Sequence, residues 1–276
     1  MSMLDFSHPL IMGILNLTPD SFSDGGSYDP ESAVRRAAEM VEEGADIIDI
    51  GGESTRPEAM RVSADEQKSR VLNTLQMLRD CLPDGYPVSI DTTSSDVARH
   101  ALDCGANMIN DISAGREDPE ILALAASAGV PLVLMHMQGT PETMQHAPAY
   151  RDAVAEVTSF LQTRVEAALA AGVEPEALLL DPGIGFGKLK RHNLQLLAGL
   201  QTIGKLGYPL LLGASRKRFM GSICNQAQPN ALMPATCAAT ALGVMAGVKV
   251  FRVHDVWQNR QAADVAWAIR NEKKYS

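Results

Sequence analysis

The feature that most constrains the fold is an alternation, repeated eight times, between a short apolar run and a longer segment with helical periodicity. Short apolar runs bounded by polar residues or glycine predict buried strands, and apolar residues three or four apart predict helices between them. We place the strands at residues 11–16, 47–50, 88–91, 108–110, 132–135, 178–181, 210–213 and 250–253. Regular alternation of this kind indicates an α/β protein with a parallel sheet.

Residues with known capping preferences mark the helix boundaries. Asp29-Pro30 and Asp118-Pro119 each have the pattern of an N-cap aspartate followed by a proline in the first turn. A glycine follows several predicted helices, at the place where a C-terminal cap with positive φ belongs. These glycines are Gly44, Gly105, Gly129, Gly172, Gly207 and Gly247.

Eight such units in 276 residues fit one closed barrel, which commonly needs about 250 residues. We therefore predict the α/β class and a single TIM-type (β/α)8 barrel that forms one domain over residues 1–276. An open doubly wound sheet is the main alternative, because it has the same alternation of strands and helices.

Composition excludes several classes of protein. The formal net charge of −9 argues against non-specific binding to nucleic acid or anionic lipid, because both require a basic surface. Four widely separated cysteines, at positions 81, 104, 224 and 237, form no CxxC pair and favour reduced thiols. No apolar segment reaches the roughly 18 residues of a membrane span, and the start MSMLDFSHPL lacks the pattern of a signal peptide. We expect a cytoplasmic protein that is neither exported nor membrane-bound.

Polar residues follow the predicted strands, at the end of a (β/α) barrel where active sites lie. Taken singly, an aspartate or asparagine there is commonly a helix N-cap, which we assign to Asp255. His136 is as readily a buried histidine at the barrel rim as a functional residue. The loops of a closed barrel meet over one opening, however, so these residues together predict one site. They are Asn16, GGESTRP at 51–57, Asp91, Asn110, His136, Asp181, SRKR at 215–218, Arg252 and His254.

The predicted site has two chemical halves. One half offers acceptor oxygens and an amide, which suit the edge of a flat heterocycle rich in N–H donors. Its members are Asp91, Asn110 and Asp181. The other half is cationic and suits phosphate or carboxylate oxygens. Its members are Arg216, Lys217, Arg218, Arg252 and His254. A donor-rich heterocycle with an anionic substituent fits both halves.

Common nucleotide and metal motifs are absent from the sequence. GIGFGK at 183–188 lacks the spacing of the GxGxxG dinucleotide motif, and neither GxxxxGK[ST] nor HExxH occurs. A Schiff-base role for Lys217 is an alternative, but its two flanking arginines favour anion binding.

The polar segments also match, in order, the motifs of one enzyme family. They are NLTPDSFSDGG, GGESTRP, SIDTT, INDISAG, MHMQGTPETMQ, DPGIGFGK, GASRKRF and FRVHDV. Over roughly residues 10–257 the chain resembles the dihydropteroate synthases of folate biosynthesis. The resemblance implies a TIM-type barrel, in agreement with the strand count, and a homodimer packed through its outer helices.

The resemblance also implies a reaction. In it, p-aminobenzoate displaces diphosphate from 6-hydroxymethyl-7,8-dihydropterin diphosphate and gives 7,8-dihydropteroate, with Mg²⁺ as cofactor. By motif position, the residues expected to bind the pterin are Asp91, Asn110, Met135, Asp181 and Lys217. Those expected to bind the diphosphate are Asn16, Arg252 and His254, and Asn16 is also expected to face the metal.

Two loops are implied to close over the substrates. The first carries Asp24, which would stabilise positive charge near the reacting carbon, and Phe22, which would shield it from water. The second carries Thr55, Arg56 and Pro57. The p-aminobenzoate ring is expected against Pro57 and Phe186, with its carboxylate near Ser215, Arg216, Lys217 and Arg218. Catalytic roles are thereby implied for Asp24, Lys217, Arg252 and His254.

Three positions depart from the family pattern. Arg218 stands where many relatives carry a hydroxyl residue, and Glu58 replaces a common glycine. Residues 230–239, NALMPATCAA, differ from the usual Arg and Gly-Ser pattern. These differences concern the carboxylate contact, loop dynamics and subunit packing rather than the pterin site. The alternative function is a pterin-binding module that presents a methylfolate to a corrinoid partner, which would leave SRKR and RVHD without a role.

Overall fold

Eight strands occur in the part of the chain that the computed structural model describes, residues 4–17, 29–54 and 61–272. Both ends of every strand lie within one residue of the predicted position. The strands are β1 Leu10–Asn16, β2 Ile47–Gly51, β3 Val88–Asp91, β4 Met108–Asp111, β5 Leu132–Met135, β6 Leu178–Asp181, β7 Leu211–Leu212 and β8 Val250–Val253.

All the strand pairs are parallel, in the order β6-β5-β4-β3-β2-β1-β8-β7. The two edge strands meet at a bridge between Leu180 and Leu210, and the N–H of Leu180 donates to the carbonyl of Pro209 at 3.0 Å. These contacts close the sheet, so the predicted (β/α)8 barrel is confirmed and the open sheet is excluded. β7 is shorter than predicted because Leu210 pairs through this isolated bridge rather than through the regular ladder.

Helices surround the barrel. Two βα units carry a pair of helices, so the described residues contain more than the eight helices predicted. They are α1 Pro30–Glu42, α2 Ala64–Cys81, α3 Ser95–Asp103, α4 Glu120–Ala128, α5 Ala153–Ala170, α6 Lys190–Ala198, α7 Leu200–Ile203, α8 Arg218–Cys224, α9 Met233–Ala246 and α10 Val256–Arg270. Short 3₁₀ helices span Pro175–Ala177, Gly204–Leu206 and Pro229–Leu232. None of the helices in the described ranges has the length and apolar character needed to cross a membrane.

The predicted caps account for most of the helix ends. All six glycines predicted as C-terminal caps have positive φ, between 63° and 102°. Asp29 caps α1 as predicted, because its carboxylate accepts the backbone N–H groups of Glu31 and Ser32. α4 begins at Glu120, one residue later than predicted, although Asp118 still accepts the N–H of Glu120 at 3.1 Å.

The apolar core has two main parts. The larger part lies between the barrel and the helices, where Leu75 and Leu78 of α2 are almost completely buried. The other part fills the N-terminal end of the barrel interior and consists of Leu4, Met12, Ile47, Met108, Val133, Leu179, Leu211 and Val250. Because strand side chains alternate, the next inward positions lie above this apolar floor, toward the C-terminal ends of the strands. Those positions carry the polar residues of the candidate site.

Gly243 of α9 packs closely on β8, and a Cβ at this position would lie 2.7 Å from Phe251 Cε1. Gly243→Ala should therefore destabilise the protein by about 1–3 kcal/mol, because the buried ring has no room to move. Gly204→Ala is the matched control, since its Cβ would meet Leu210 Cδ1 at 3.8 Å, an ordinary contact. Urea unfolding measures both variants, and equal free energies of unfolding would contradict this account of the packing.

Candidate active site

A cavity of about 870 Å³ opens at the C-terminal ends of the strands. Most of the site residues predicted from the sequence contribute to its wall. Those that line it are Asn16, Asn110, Met135, Asp181, Phe186, Ser215, Arg216, Lys217, Arg218, Arg252 and His254. Asp91 lies beside it, hydrogen-bonded to Arg252. Outside the described residues lie Phe22, Asp24, Thr55, Arg56, Pro57 and Glu58.

An ion-pair cluster lies at the centre of the barrel. Arg252 of β8 donates from Nε to Asp49 Oδ2 and from Nη2 to Asp91 Oδ2, both at 2.6 Å. Asp49 of β2 is fully buried and Asp91 of β3 is nearly so. Burial raises the pKa of Asp91, and the guanidinium of Arg252 opposes that rise. The two short charge-assisted bonds offset part of the cost of placing both carboxylates inside the barrel.

Asp49 also fixes the orientation of Asn110 on β4. Asn110 Nδ2 lies 3.2 Å from Asp49 Oδ2, the oxygen that pairs with Arg252. An ionised carboxylate can only accept hydrogen bonds, so the amide nitrogen must be the atom that faces it. The carbonyl oxygen of Asn110 is therefore left as an acceptor for a ligand in the cavity.

Asp181, at the end of β6, supplies a second carboxylate to the cavity. Its Oδ1 accepts the N–H of Gly183 at 2.7 Å, and its Oδ2 lies 3.6 Å from the place a Cβ would take at Gly213. Burial raises the pKa of Asp181 to about 6, against the opposing effects of the Gly183 hydrogen bond and of Lys217. A carboxylate in this position gains most from a ligand that brings hydrogen-bond donors.

Lys217 is held against an aromatic ring. Its Nζ lies 4.1 Å from the centroid of the Phe186 ring, within the range of a cation–π interaction. The close approach requires glycine at position 185, because a Cβ there would lie 2.9 Å from Lys217 Cδ. Burial lowers the pKa of Lys217 to about 8, and the neighbouring carboxylate of Asp181 opposes that fall.

Lys188 is a buried amine surrounded by acceptors. Its Nζ lies 2.9 Å from His136 Nδ1, 2.8 Å from the carbonyl oxygens of both Gly183 and Phe186, and 3.3 Å from that of His136. Burial lowers the pKa of His136 to about 2, and the charge of Lys188 adds to this effect. His136 is thus neutral and accepts a hydrogen bond from another residue of the protein. This agrees with the first of its two predicted roles, a buried histidine at the barrel rim.

His254 and Ser215 form a polar pair on the cationic side of the cavity. The backbone N–H of His254 donates to Ser215 Oγ at 3.2 Å, and this hydroxyl lies 2.9 Å from His254 Nδ1. Since the hydroxyl has one proton to give, it donates to Nδ1, and a neutral imidazole then carries its proton on Nε2. Burial and the neighbouring Arg216 and Arg252 lower the pKa of His254 to about 3.

Arg216 is paired within the protein. It donates to the two carboxylate oxygens of Asp255 at 3.0 and 2.6 Å, and to Asn230 Oδ1 at 2.7 Å. Asp255 lies at the predicted N-cap position of α10, but its carboxylate is engaged by Arg216 and makes no capping hydrogen bond. Arg218, by contrast, is exposed at the cavity and forms no ion pair with another described residue.

The described residues suit a magnesium ion that arrives with a phosphate. Mg²⁺ commonly binds one or two protein oxygens together with waters and substrate phosphates. Asn16, at the end of β1, offers an amide oxygen in the cavity wall, close to Gly51 and Asp91. No group of three or more His, Cys, Asp or Glu side chains within the described ranges is arranged to hold a metal by itself.

Comparison with known proteins gives concordant matches. Residues 12–254 match the family model described as pterin binding enzyme. The dihydropteroate synthase of Synechocystis sp. is 46% identical over 260 residues, which cover 94% of this chain and 89% of the relative. A structure of the Xanthomonas albilineans dihydropteroate synthase with 4-aminobenzoic acid has 43% identity and a TM-score of 0.91, covering 97% of this chain and 95% of the other. The same enzyme in complex with 7,8-dihydropteroate has 41% identity and a TM-score of 0.88, covering 97% and 96%.

The closed barrel, its two-sided cavity and the family match define a pterin-binding enzyme. Within that class, the chain belongs to the dihydropteroate synthase family. This confirms the family, the fold and the transferase activity expected from the sequence, in which p-aminobenzoate replaces a diphosphate leaving group. The roles of individual residues remain predictions.

Two residues of the site did not emerge from the sequence. Asp49 lies within the apolar run IIDIG, which predicts a strand without marking this residue. A carboxylate at an inward position of a buried strand is nevertheless unusual enough to indicate a functional or paired group. Lys188 ends the motif DPGIGFGK, from which the sequence predicts site roles for Asp181 and Phe186 but none for Lys188. Its fourfold coordination depends on carbonyl groups that fold back on it, which residue spacing does not reveal.

Gly183 can be tested by a substitution with a matched backbone control. Its φ is 67°, and a Cβ there would lie 1.9 Å from the carbonyl oxygen of His136. Gly85 has a similar φ of 73° but no atom within 4 Å of that position. Gly85→Ala should cost about 1 kcal/mol from backbone strain alone. Gly183→Ala should cost clearly more in thermal unfolding, and similar losses in the two variants would show that the contact with His136 is unimportant.

Proposed function

We propose that the acceptor side of the cavity binds the pterin of 6-hydroxymethyl-7,8-dihydropterin diphosphate while the cationic side binds its diphosphate. The observation that carries the proposal is that Asp181 and Arg252, from opposite chemical halves of the predicted site, line the same cavity. A ligand with N–H donors at one end and phosphate at the other complements both.

The pterin edge suits three acceptors. Asp91 and Asp181 are buried carboxylates, and Asn110 offers a carbonyl whose direction is fixed by Asp49. Amino and ring N–H groups of a pterin would supply the donors that these oxygens lack. Met135, buried in the wall beside them, would contact the face of the ring, and Lys217 would lie over it.

The diphosphate would lie near Asn16, Arg252 and His254. Among the described residues, Arg252 uses Nε and Nη2 for its two carboxylate partners, so the N–H groups of Nη1 are available to an anion. The Nε2–H of a neutral His254 would donate to a second oxygen. Binding an anion here therefore requires no break in the central ion pairs.

The p-aminobenzoate would occupy the outer part of the cavity. Phe186 provides an apolar surface for its ring, and Ser215 to Arg218 surround the region for its carboxylate. Arg216 is engaged by Asp255, so we assign the ionic contact to Arg218 and Lys217. Pro57, Thr55 and Arg56 would complete this part of the site, as would Asp24 at the reacting carbon, in loops outside the described residues.

We infer a dissociative reaction in which the bond to diphosphate breaks before the amine attacks. The electron-rich dihydropterin spreads the positive charge that remains, while Arg252 and His254 donate to oxygens that gain negative charge. When bound, Mg²⁺ would neutralise diphosphate charge beside Asn16. The aromatic amine is already nucleophilic, so no strong base is required, and the proton it loses after forming the C–N bond passes to the released diphosphate or to water.

We further propose that the enzyme is a homodimer joined through α9 and α10. Their outer faces expose Leu242, Met245, Val265 and Ile269, which border an apolar groove. An apolar surface of this kind on outer helices favours contact with a second copy of the chain. A cytoplasmic location is supported by the four free cysteines, because reduced thiols are usual there.

The homodimer can be tested by charge insertion. Leu242→Glu combined with Val265→Glu should yield a monomer in light scattering, because both side chains are more than half exposed on the proposed interface. Leu194→Glu, on α6 and 43% exposed, is the control and should leave the assembly unchanged. A double variant that keeps the wild-type mass would place the interface elsewhere.

The proposed function is tested by release of diphosphate when the protein, Mg²⁺, pterin diphosphate and p-aminobenzoate are mixed. Product should form only with both organic substrates present. Tight methylfolate binding without diphosphate release would favour the corrinoid-dependent alternative instead.

Asp181→Asn should weaken pterin binding by about 10-fold to 100-fold, because charge-assisted bonds of about 1.5–3 kcal/mol are lost. With Asp181, affinity should fall as the pH drops through about 6 and the carboxylate becomes protonated. The amide variant should lack this part of the pH dependence. Asp152→Asn, an N-cap replacement on α5, is the control. Normal affinity in the Asp181 variant, measured by calorimetry, would remove Asp181 from the pterin pocket.

A further inference from the structure

Lys188 combines nearly complete burial with full coordination of its amine, and it has no part in the reaction described above. The residue is 3% exposed. The partners of its amine lie in two loops. His136 is in the loop after β5, and Gly183 and Phe186 are in the loop after β6. Lys188 therefore ties two neighbouring loops of the active site together.

The partners of Lys188 define its protonation state. Three of the four are carbonyl oxygens, which accept and cannot donate. The fourth, His136 Nδ1, accepts when the neutral ring carries its proton on Nε2. An ammonium group has three N–H donors to distribute among these acceptors, whereas a neutral amine would leave part of the cage unsatisfied. Burial, with a smaller effect from the charge of Lys217, lowers the pKa of Lys188 below its usual value, and the carboxylate of Asp181 opposes that fall. The acceptors around the amine also favour its ammonium form.

We propose that Lys188 is a positioning residue whose fixed positive charge keeps Asp181 ionised for pterin binding. Its hydrogen bonds also hold the loop that orients the Asp181 carboxylate. The proposal rests on the assignment of Asp181 to the pterin. Lys188 acts through Asp181, because its own amine is fully engaged by protein acceptors.

The loop geometry connects Lys188 to Asp181 directly. Gly183 accepts from Lys188 through its carbonyl and donates to Asp181 Oδ1 through its N–H at 2.7 Å. Phe186, whose carbonyl also accepts from Lys188, carries the ring that holds Lys217. Loss of the buried amine would therefore loosen one bond to Asp181 and the support of Lys217.

Several charged groups influence the carboxylate of Asp181. Lys217 approaches from the loop after β7 and Arg252 from β8, while Lys188 lies in the loop that follows Asp181 itself. His136, from the loop after β5, is neutral because burial lowers its pKa to about 2. Lys217 and Arg252 are also assigned to substrate, so Lys188 is the cation whose charge stays with the protein throughout the reaction.

The test is the pH dependence of binding of 6-hydroxymethylpterin, a ligand without diphosphate, to Lys188→Met and wild-type protein. Removing the positive charge should raise the pKa of Asp181, because the carboxylate loses a stabilising neighbour. The acidic fall in affinity should therefore move to higher pH by about one unit. Calorimetry across the pH range around 6 measures this midpoint.

Tyr150→Phe is the matched control for loop loosening. The Tyr150 hydroxyl donates to the carbonyl of Gly187 in the same loop at 2.8 Å, and its removal changes no charge near Asp181. This variant should keep the wild-type midpoint, even where its affinity is lower. If Lys188→Met also keeps that midpoint, the proposal is overturned.

A spectroscopic measurement on wild-type protein covers the case in which Lys188→Met does not fold. In ¹⁵N-lysine-labelled protein, a buried ammonium should give a slowly exchanging NH₃⁺ signal at neutral pH that is absent from a folded Lys188→Arg variant. A neutral amine signal for Lys188 would overturn the proposal. Diphosphate release by the wild type tests the proposed function separately. The synthase activity and the role of Lys188 can therefore be contradicted independently, the first by this assay and the second by the pH midpoint or the amine signal.

Discussion

The structure depends on pairing charges inside the barrel, at the level where the apolar floor ends. Arg252 comes from β8, and its partners Asp49 and Asp91 come from β2 and β3. β1 lies between these elements in the sheet, so the pairs form only when β8 closes against β1. Removing one partner would leave an uncompensated charge, which commonly costs about 3–5 kcal/mol. The fold and the site are therefore stabilised by the same contacts.

The same burial prepares two groups of the cavity for binding. Both groups are partly removed from water, so the pKa of Asp181 rises to about 6 and that of Lys217 falls to about 8. Each charge is therefore less stable in the free protein than it would be in water. A ligand that supplies hydrogen-bond donors to the carboxylate and electron-rich groups to the lysine replaces the stabilisation that each charge lost when it was removed from water. Part of the affinity for a pterin would thus come from compensating a cost already present in the free protein.

The strands were predictable to within one residue because an apolar run in a parallel sheet has few alternative structures. The glycine caps were predictable because positive φ strongly favours that residue. Pairings between distant residues were not. The sequence positions of Arg216 and Asp255 do not show that the two residues pair with each other. They are equally consistent with Asp255 capping a helix and Arg216 contacting a ligand. Asp49 was not predicted for a different reason. Its apolar neighbours in IIDIG predict a buried strand by themselves, so the aspartate adds nothing to that prediction.

The glycines of DPGIGFGK explain why one lysine of the site is enclosed and another is open. Gly183 and Gly187 have φ of 67° and 59°, and a Cβ on either would collide with the carbonyl oxygen of His136 or Gln138. The loop can therefore lie directly on the loop after β5, with carbonyl groups turned toward Lys188. Gly185 leaves room on the other side for Lys217, which meets the Phe186 ring rather than carbonyl oxygens. The same short loop therefore gives two lysines different environments. Carbonyl groups surround the amine of Lys188, whereas the amine of Lys217 lies on an aromatic face and remains accessible to a ligand.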